Sequence, residues 1–163
     1  DSASGDALEY FRRFPEIPIR KFNPVKDLTD TEIAMNLAIE LGAERIFILG
    51  GTGTRLDHVV ANIKLLAMAL EQGKEWILLD EHNRIRLTDQ PMKIRKTEQY
   101  GKYVSLFAFG GQVTGLTLRG FFYPLTEYDM TPENPIGVSN EITAENGEIS
   151  FSSGMLLVME SKD

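Results

Sequence analysis

Two different patterns of apolar residues share this chain and meet near residue 82. Up to residue 79, stretches with apolar residues at helical spacing alternate with continuous apolar runs at Ile46–Leu49 and Trp76–Leu79. Beyond residue 82, short apolar segments are separated by Gly, Pro and Asn-Gly turn signals; they cover residues 84–87, 92–96, 103–109, 113–118, 148–151 and 155–160. Alternating strands and helices are typical of a parallel α/β sheet, and closely spaced short strands are typical of a β-sandwich. We therefore predict a layered α/β domain over residues 1–82 and a β-sandwich domain over residues 83–163.

The α/β half is predicted to run strand, helix, strand, helix, strand. A weak edge strand is expected over residues 17–22, because the proline within it cannot donate to a ladder. The residues Thr29 to Glu32 form a capping box that starts a helix, and Gly42 ends that helix. A second helix over residues 56–70 follows a Gly-rich turn and stops at Gly73. Crossover helices of this kind imply parallel strands.

The composition excludes several classes of protein. The 163 residues include 17 Lys and Arg against 24 Asp and Glu, a formal net charge of −7, and no block of basic residues. This balance argues against nucleic acid as a partner, and a polyphosphate ligand would need to bring a cation. The apolar runs are far shorter than the roughly 20 residues that span a bilayer, which argues against a membrane partner. Because there is no Cys, a disulfide framework, a thiolate metal site and a Cys nucleophile are excluded.

Polar residues gather in three loops of the α/β half, at residues 26–30, 50–58 and 80–82. Each of these loops leaves the carboxyl end of a predicted strand. In an open parallel sheet, ligands bind beyond the carboxyl ends of the strands. The sequence does not fix the strand order, but the three loops are candidates to line one crevice.

The second loop carries the most chemistry. Its glycines Gly50, Gly51 and Gly53 allow positive φ and close backbone approach, and its amides lead into a helix start, where an anion is favoured. Arg55 adds a planar guanidinium that suits phosphate. A Gly-rich turn followed by a plain N-cap Asp explains the same residues about as well. The spacing matches neither the Walker loop nor the dinucleotide fingerprint.

Three carboxylates are candidates for a metal–phosphate cluster: Asp1, Asp30 and Asp57. Mg²⁺ prefers such oxygen ligands and keeps several waters. The simpler explanation of Asp30 is a partner for the helix dipole, and a lone His58 is more typical of a hydrogen-bonding residue at a helix start. The residues alone thus indicate a Mg²⁺-dependent nucleotide or polyphosphate site on an α/β sheet.

Several motifs, taken in order, resemble the bacterial thiamine pyrophosphokinases. In the α/β half they are Asp1-Ser2-Ala3-Ser4, Lys26 to Glu32 and Gly50 to Asn62. In the β half they are Tyr123-Pro124-Leu125, Gly137 to Glu141 and Gly154 to Val158. The resemblance covers essentially all of the chain, and the order and spacing of the motifs make it specific.

This resemblance implies transfer of a diphosphate group from ATP to the hydroxyethyl group of thiamine, with release of AMP, by a homodimer whose active sites lie between subunits. A cytoplasmic location is expected because ATP is found there. It implies that Asp1 and Asp30 bind Mg²⁺, that Ser139 and Asn140 lie in the thiamine pocket, and that Asp30, Arg55 and Asp57 are catalytic. The ATP-binding residues that it implies are Thr29, Asp30, Gly51, Gly53, Arg55, Asp57 and His58.

Some alternatives stay open. The resemblance implies further strands and a metal-binding Asp two positions ahead of Asp1, so we expect a missing N-terminal segment. A general base could be Asp57 or His58, and the sequence does not choose between them. A nucleotide- or thiamine-sensing module without chemistry is the alternative function, and a structural fragment is a third.

Overall fold

The computed structural model describes residues 9–19, 22 and 27–163. The chain divides into two compact units, residues 1–43 and 44–163. The helices with defined bounds are α1 (Asp30–Glu40) and α2 (Leu56–Glu71), and a 3-10 turn covers Lys96–Glu98. The strands are β1 (Arg45–Leu49), β2 (Glu75–Leu79), β3 (Asn83–Thr88), β4 (Met92–Arg95), β5 (Tyr103–Arg119), β6 (Leu125–Met130), β7 (Asn140–Glu141), β8 (Asn146–Ser150) and β9 (Ser153–Ser161).

Helix α1 of the first unit begins and ends as the sequence predicts. The N-cap is Thr29, whose hydroxyl accepts a hydrogen bond from the Glu32 amide at 3.2 Å. At the other end Gly42 adopts φ +84°, and its amide donates to the Ile39 carbonyl at 2.8 Å. A left-handed residue at this position satisfies the last carbonyls of a helix, and glycine adopts it without strain.

The predicted edge strand over residues 17–22 is wrong for the part that the structure describes. Ile17 and Ile19 are exposed and outside any strand, and the Ile17 amide donates to the Phe14 carbonyl at 3.0 Å in a turn. Pro18 between them has no amide to donate to a ladder, so a local turn replaces the strand. Residues 20 and 21 lie outside the described residues.

The second unit begins with the predicted strand–helix–strand crossover. Strands β1 and β2 pair in parallel from Arg45↔Glu75 to Leu49↔Leu79, and α2 connects them and packs on β2 and β3. Gly73 ends α2 at φ +65°. Neither α1 nor α2 is long and apolar enough to cross a membrane.

The sheet continues without interruption from the parallel strands into the antiparallel ones. Strand β2 pairs with β3 in antiparallel register, Ile77↔Arg86, and the order across the sheet is β1-β2-β3-β9-β5-β8-β4. Strands β6 and β7 pair with β5 beside this path. Residues on both sides of position 82 therefore belong to one hydrogen-bonded sheet, which brings the loop after β2 close to the β-rich half.

The long strand β5 takes part in both layers of the sandwich. Its first part pairs with β9 and β7, and its second part pairs with β8 and β6. The prediction of two separate strands here is wrong, because Gly110 at φ +71° bends the strand instead of ending it, with a register shift between Phe109 and Thr114. The core between the layers consists of Ile94, Val104, Leu106, Ala108, Val113, Leu116, Leu118, Phe121, Met130, Ile142, Ile149, Leu156 and Val158.

Candidate active site

The Gly-rich loop that joins β1 to α2 uses its glycines for different reasons. Gly50 adopts φ +74°, so positive φ is confirmed for this glycine, whereas Gly51 and Gly53 lie outside that region. Gly51 is required by packing, because a Cβ there would lie 2.5 Å from Leu78 Cδ1. A Cβ on Gly53 would meet no atom within 4 Å among the described residues, so the fold itself does not require glycine at that position.

The start of α2 presents backbone donors to this loop. The helix begins at Leu56 with Arg55 as N-cap, so Asp57 is not the N-cap. The Asp57 carboxylate accepts the His58 amide at 2.9 Å, and the Val59 amide donates to the Arg55 carbonyl at 3.2 Å. In the described part of the chain, the amides of Leu56 and Asp57 have no acceptor. Free amides at a helix N-terminus are a favourable place for an anion.

Arg55 and Asp57 form an exposed bidentate ion pair at this helix start. The Arg55 Nε and Nη2 atoms donate to the two carboxylate oxygens at 3.2 and 2.5 Å, and the side chains are 70% and 63% exposed. The hydrogen bonds that Arg55 donates to Asp57 raise the pKa of Arg55 and lower the pKa of Asp57. Because both groups stay in water, an anion can replace Asp57 on Arg55 with little desolvation.

The loop after β2 leaves the sheet at the same edge as the Gly-rich loop, because Leu49 pairs with Leu79 at the ends of the parallel strands β1 and β2. In this loop, the Asp80 Oδ1 atom accepts the amides of His82 and Asn83, both at 2.7 Å. Burial acts to raise the pKa of Asp80, but the hydrogen bonds outweigh it and the pKa is lowered. The structure thus brings together two of the three predicted loops. Residues 27–30 of the remaining loop belong to the other unit.

The described residues do not by themselves fit a resident magnesium ion. Across the described part of the chain, no three carboxylate or imidazole side chains gather where they could hold a metal. The Asp57 carboxylate is occupied by Arg55 and a backbone amide, and the Asp80 carboxylate already accepts several hydrogen bonds. Asp30 is half-buried at the first position of α1, and Asp1 lies outside the described residues.

The loop of the β half that contains Ser139 and Asn140 is held by its own side chains. The Asn140 amide group is 5% exposed; it accepts from the Tyr123 amide at 3.0 Å and donates to the Tyr123 carbonyl at 2.7 Å. Its oxygen also accepts the Glu141 amide. Ser139 is exposed at φ +56°, and its amide donates to the Ser105 hydroxyl at 3.0 Å. Asn140 therefore shapes the loop, while Ser139 stands on its surface.

Sequence reasoning missed the residue that anchors the Gly-rich loop from the helix side. Asn62 lies on the buried face of α2 with 6% of its surface exposed, and its Nδ2 donates to the Gly51 carbonyl at 2.8 Å. A polar residue within the apolar stripe of a helix was the available signal, because a buried amide needs a partner.

Comparison with known proteins matches both halves of the chain. Residues 1–78 match the family described as "Thiamin pyrophosphokinase, catalytic domain", and residues 90–156 match "Thiamin pyrophosphokinase, vitamin B1 binding domain". The two matches follow one another along the chain without overlap.

Individual relatives agree with these matches. The chain is 33% identical over 138 residues to the thiamine pyrophosphokinase of Bacillus subtilis, and it spans 64% of the length of that curated relative. The crystal structure of thiamine pyrophosphokinase from Bacillus subtilis superposes with a TM-score of 0.89 at 31% identity, covering 100% of this chain and 76% of that one. A family protein from Enterococcus faecalis superposes with a TM-score of 0.83 at 30% identity, with the same coverages. The chain belongs to the thiamine pyrophosphokinase family.

Proposed function

We propose that the protein transfers a diphosphate group from ATP to thiamine, giving thiamine diphosphate and AMP. The observation that carries this proposal is the start of α2, where the free amides of Leu56 and Asp57 adjoin the exposed guanidinium of Arg55. This anion site lies within the stretch that matches the catalytic domain of the family. The neighbouring match to a vitamin B1 binding domain supports thiamine as the acceptor.

The reaction balances as a single displacement at the β-phosphorus. The hydroxyl oxygen of thiamine forms a bond to that phosphorus, the bond from the phosphorus to the oxygen shared with the α-phosphate breaks, and AMP leaves with that oxygen. The hydroxyl proton passes to a base. Such a transfer depends on in-line positioning and on stabilising the phosphate charge. Asp57 and His58 are the two candidates for this base.

The ATP-binding residues retain their proposed roles, with refinements that the geometry supports. Arg55 binds phosphate in place of Asp57, which orients the guanidinium before the nucleotide binds. Gly53 lets the nucleotide approach the backbone. The fold among the described residues does not require glycine there, because a Cβ at this position would meet no atom within 4 Å. Gly51 holds the loop against Leu78. Thr29 and Asp30, together with His58, complete the proposed set.

The acceptor site is proposed in the β half. We propose that residues 1–82 supply the ATP half of the site and residues 83–163 the thiamine half. The exposed Ser139 hydroxyl contacts thiamine, and Asn140 contributes by holding the loop to Tyr123. Ser139→Ala should therefore raise the KM for thiamine more than the KM for ATP, and equal effects on both substrates would place this loop elsewhere.

A magnesium ion is proposed to arrive with ATP as part of the substrate, with Asp1 and Asp30 as its protein ligands. Phosphate oxygens and water supply most of the coordination of Mg²⁺ in such complexes. Asp30→Asn should raise the Mg²⁺ concentration needed for half-maximal activity. Asp27→Asn is the matched control, an exposed carboxylate three residues earlier. Identical magnesium dependence in the two variants would remove Asp30 from the metal site.

We propose a homodimer in the cytoplasm, where ATP is available. Large apolar side chains around the Ser139 loop are about half exposed or more, and they offer a surface for a second copy: Phe122, Tyr123, Ile136 and Val138. Sedimentation should give twice the chain mass, and Ile136→Asp with Val138→Asp should give a folded monomer. A wild-type monomer at micromolar concentration would contradict this part of the proposal.

Nucleotide product analysis tests the proposed function. The full-length protein is incubated with ATP, Mg²⁺ and thiamine, and the products are separated. AMP and thiamine diphosphate should form in equal amounts, and neither should form without thiamine. ADP with thiamine monophosphate would show γ-phosphoryl transfer instead. Binding of thiamine or ATP without any product would favour the sensing module.

A further inference from the structure

Two residues other than glycine adopt a left-handed backbone conformation in the part of the chain that the structure describes. They are Glu127 at φ +48° and Ser139 at φ +56°. For a residue with a Cβ this conformation is unfavourable, because the Cβ approaches the following carbonyl oxygen. Such a residue persists only where its surroundings hold it in place. The contacts around each of the two therefore show what holds it.

The same kind of contact holds both residues, and it comes from β5. The Glu127 amide donates to the Thr117 hydroxyl at 3.0 Å, and the Ser139 amide donates to the Ser105 hydroxyl at 3.0 Å. Ser105 is 9% exposed, whereas Glu127 and Ser139 both lie at the surface. Strand β5 thus fixes two strained backbone positions through hydroxyl groups.

The pairing of the strands explains the conformation of Glu127 but not that of Ser139. Glu127 lies on β6, where the pairing with β5 shifts register between Leu116 and Leu118. A residue at such an irregularity commonly adopts an unusual backbone conformation. Ser139 lies in a turn directly before β7, and the pairing of β7 with β5 begins only at Asn140. No strand pairing therefore requires Ser139 to be left-handed.

The turn that contains Ser139 lies directly on β5. The Leu106 amide donates to the Gly137 carbonyl at 2.9 Å, and a Cβ on Gly137 would lie 2.2 Å from the Leu106 carbonyl oxygen. Ser105 precedes Leu106 on β5, and its hydroxyl reaches the turn two residues beyond Gly137. The next residue, Asn140, is held separately by its own side chain. Ser105 is thus the side chain that acts on Ser139 itself.

We propose that Ser105 is a positioning residue for the acceptor, because its hydroxyl keeps Ser139 in the left-handed conformation and so fixes where the exposed Ser139 hydroxyl stands. The consequence for thiamine rests on the proposed function, whereas the holding of Ser139 does not. A group that is already in its binding conformation loses less conformational entropy when a ligand binds. Removing the Ser105 hydroxyl should therefore weaken the use of thiamine and leave that of ATP unchanged.

Ser105→Ala removes the hydroxyl alone. Hydrogen exchange of the Ser139 amide, measured without ligands, should become roughly threefold to tenfold faster, the effect of one lost hydrogen bond. The KM for thiamine should rise by a similar factor, while the KM for ATP stays within about twofold of wild type. Ser105→Thr keeps a hydroxyl at the same position and should bring the exchange and the KM for thiamine back toward the wild-type values.

Thr117→Val is the matched control, since it removes the other β5 hydroxyl that holds a left-handed residue and keeps the shape of the side chain. Exchange of the Glu127 amide should become faster. Exchange of the Ser139 amide and the KM for thiamine should stay at the wild-type values. A KM for thiamine raised equally in Thr117→Val and Ser105→Ala would show a general loosening of β5 and would overturn the role of Ser105.

Ser139→Gly tests the strain itself. Glycine adopts a positive φ freely, and this relief exceeds the conformational freedom that glycine adds to the unfolded chain. The variant should therefore unfold at a higher urea concentration than wild type, although its KM for thiamine should rise. Ser150→Gly, at an exposed position of β8, is the control and should unfold at a lower urea concentration. A lower midpoint in Ser139→Gly as well would contradict strain at this residue.

A double-mutant cycle shows whether Ser105 acts through Ser139. In the background of Ser139→Ala, which lacks the hydroxyl, Ser105→Ala should raise the KM for thiamine by less than about twofold, because both changes remove one and the same contribution. The full product of the two single effects would overturn action through Ser139.

The outcomes separate this inference from the proposed function. Unchanged exchange of the Ser139 amide in Ser105→Ala would overturn the positioning role, whatever the activity. Faster exchange with an unchanged KM for thiamine would overturn its consequence for the acceptor. If the wild-type protein forms no AMP from ATP and thiamine, the proposed function fails, and the exchange and unfolding measurements still decide whether Ser105 holds Ser139 in a strained conformation.

Discussion

Two arginine–carboxylate sites in this protein use the same chemistry in opposite surroundings. At the start of α2, the side chains of Arg55 and Asp57 are 70% and 63% exposed, and they form an ion pair with each other. In the sheet, Glu160 is completely buried and binds both Arg84 and Arg86, each at 2.6 Å, across β3 and β9. The first pair joins residues two apart in sequence, and the second joins residues more than seventy apart.

Burial decides which of these charged groups a ligand can bind. An exposed pair gains little from its own attraction, so either partner can change to a phosphate at small cost. A buried carboxylate between two guanidinium groups cannot lose a partner without leaving an uncompensated charge. The exposure of the first pair therefore supports the proposal that Arg55 binds phosphate, whereas the buried Glu160 has a structural role.

The largest effect is expected from breaking the buried site. Glu160→Gln leaves Arg84 and Arg86 without their carboxylate and should lower the free energy of unfolding by about 3–5 kcal/mol. Urea unfolding measures it. Glu148→Gln, which removes an exposed partner of Lys93 at 2.9 Å, is the control and should cost less than about 1 kcal/mol. Equal losses in the two variants would abolish the distinction between buried and exposed pairs.

The second effect concerns the two glycines of the exposed site. Gly51→Ala should lower the free energy of unfolding by about 1–3 kcal/mol, because its Cβ would press on the buried Leu78 and on Asn62. Gly53→Ala should have a free energy of unfolding within about 0.5 kcal/mol of the wild-type value, but it should raise the KM for ATP. Wild-type kinetics in a folded Gly53→Ala protein would show that the nucleotide does not approach there.

The smallest effect is the pH dependence that Asp80 confers. Its pKa is lower in the folded protein than its ordinary value, so its contribution to stability is present above that value and is lost as the pH falls through the folded pKa. At pH 7, Asp80→Asn should be less stable than wild type by about 1 kcal/mol. The difference should shrink below roughly pH 4. A difference that does not change with pH would show that the charge of Asp80 has no part in it.

The helices and the parallel strands could be predicted because their signals are local. The hydroxyl of Thr29 caps a residue three positions on, and Gly42 ends the same helix by its own backbone conformation. Strand β6 was missed, because apolar residues do not alternate regularly along Leu125–Met130 and the polar residues Thr126, Glu127 and Asp129 lie among them. It forms only because β5 offers an edge to pair with.

The candidate site could be predicted in part for the same reason. Arg55 and Asp57 stand in one motif, so their proximity follows from the sequence. The position of Asp80 at the same sheet edge as the Gly-rich loop, and the contact between Tyr100 and the Asp80 carbonyl, depend on the pairing of β1, β2 and β3. No local pattern encodes those pairings, and only the folded sheet reveals them.

Phosphate binding by Arg55 is tested by the affinity of the Arg55→Lys variant for ATP. Lysine keeps the charge but loses the bidentate fork, so calorimetry should show a Kd for ATP raised roughly tenfold, with urea unfolding unchanged. Arg45→Lys is the matched control, since Arg45 on β1 forms an exposed ion pair with Glu75 on β2 at 2.5 Å. This variant should change neither the Kd for ATP nor the free energy of unfolding. A wild-type Kd for ATP in Arg55→Lys would contradict phosphate binding by Arg55, because the exposed pair would then be ordinary protein surface.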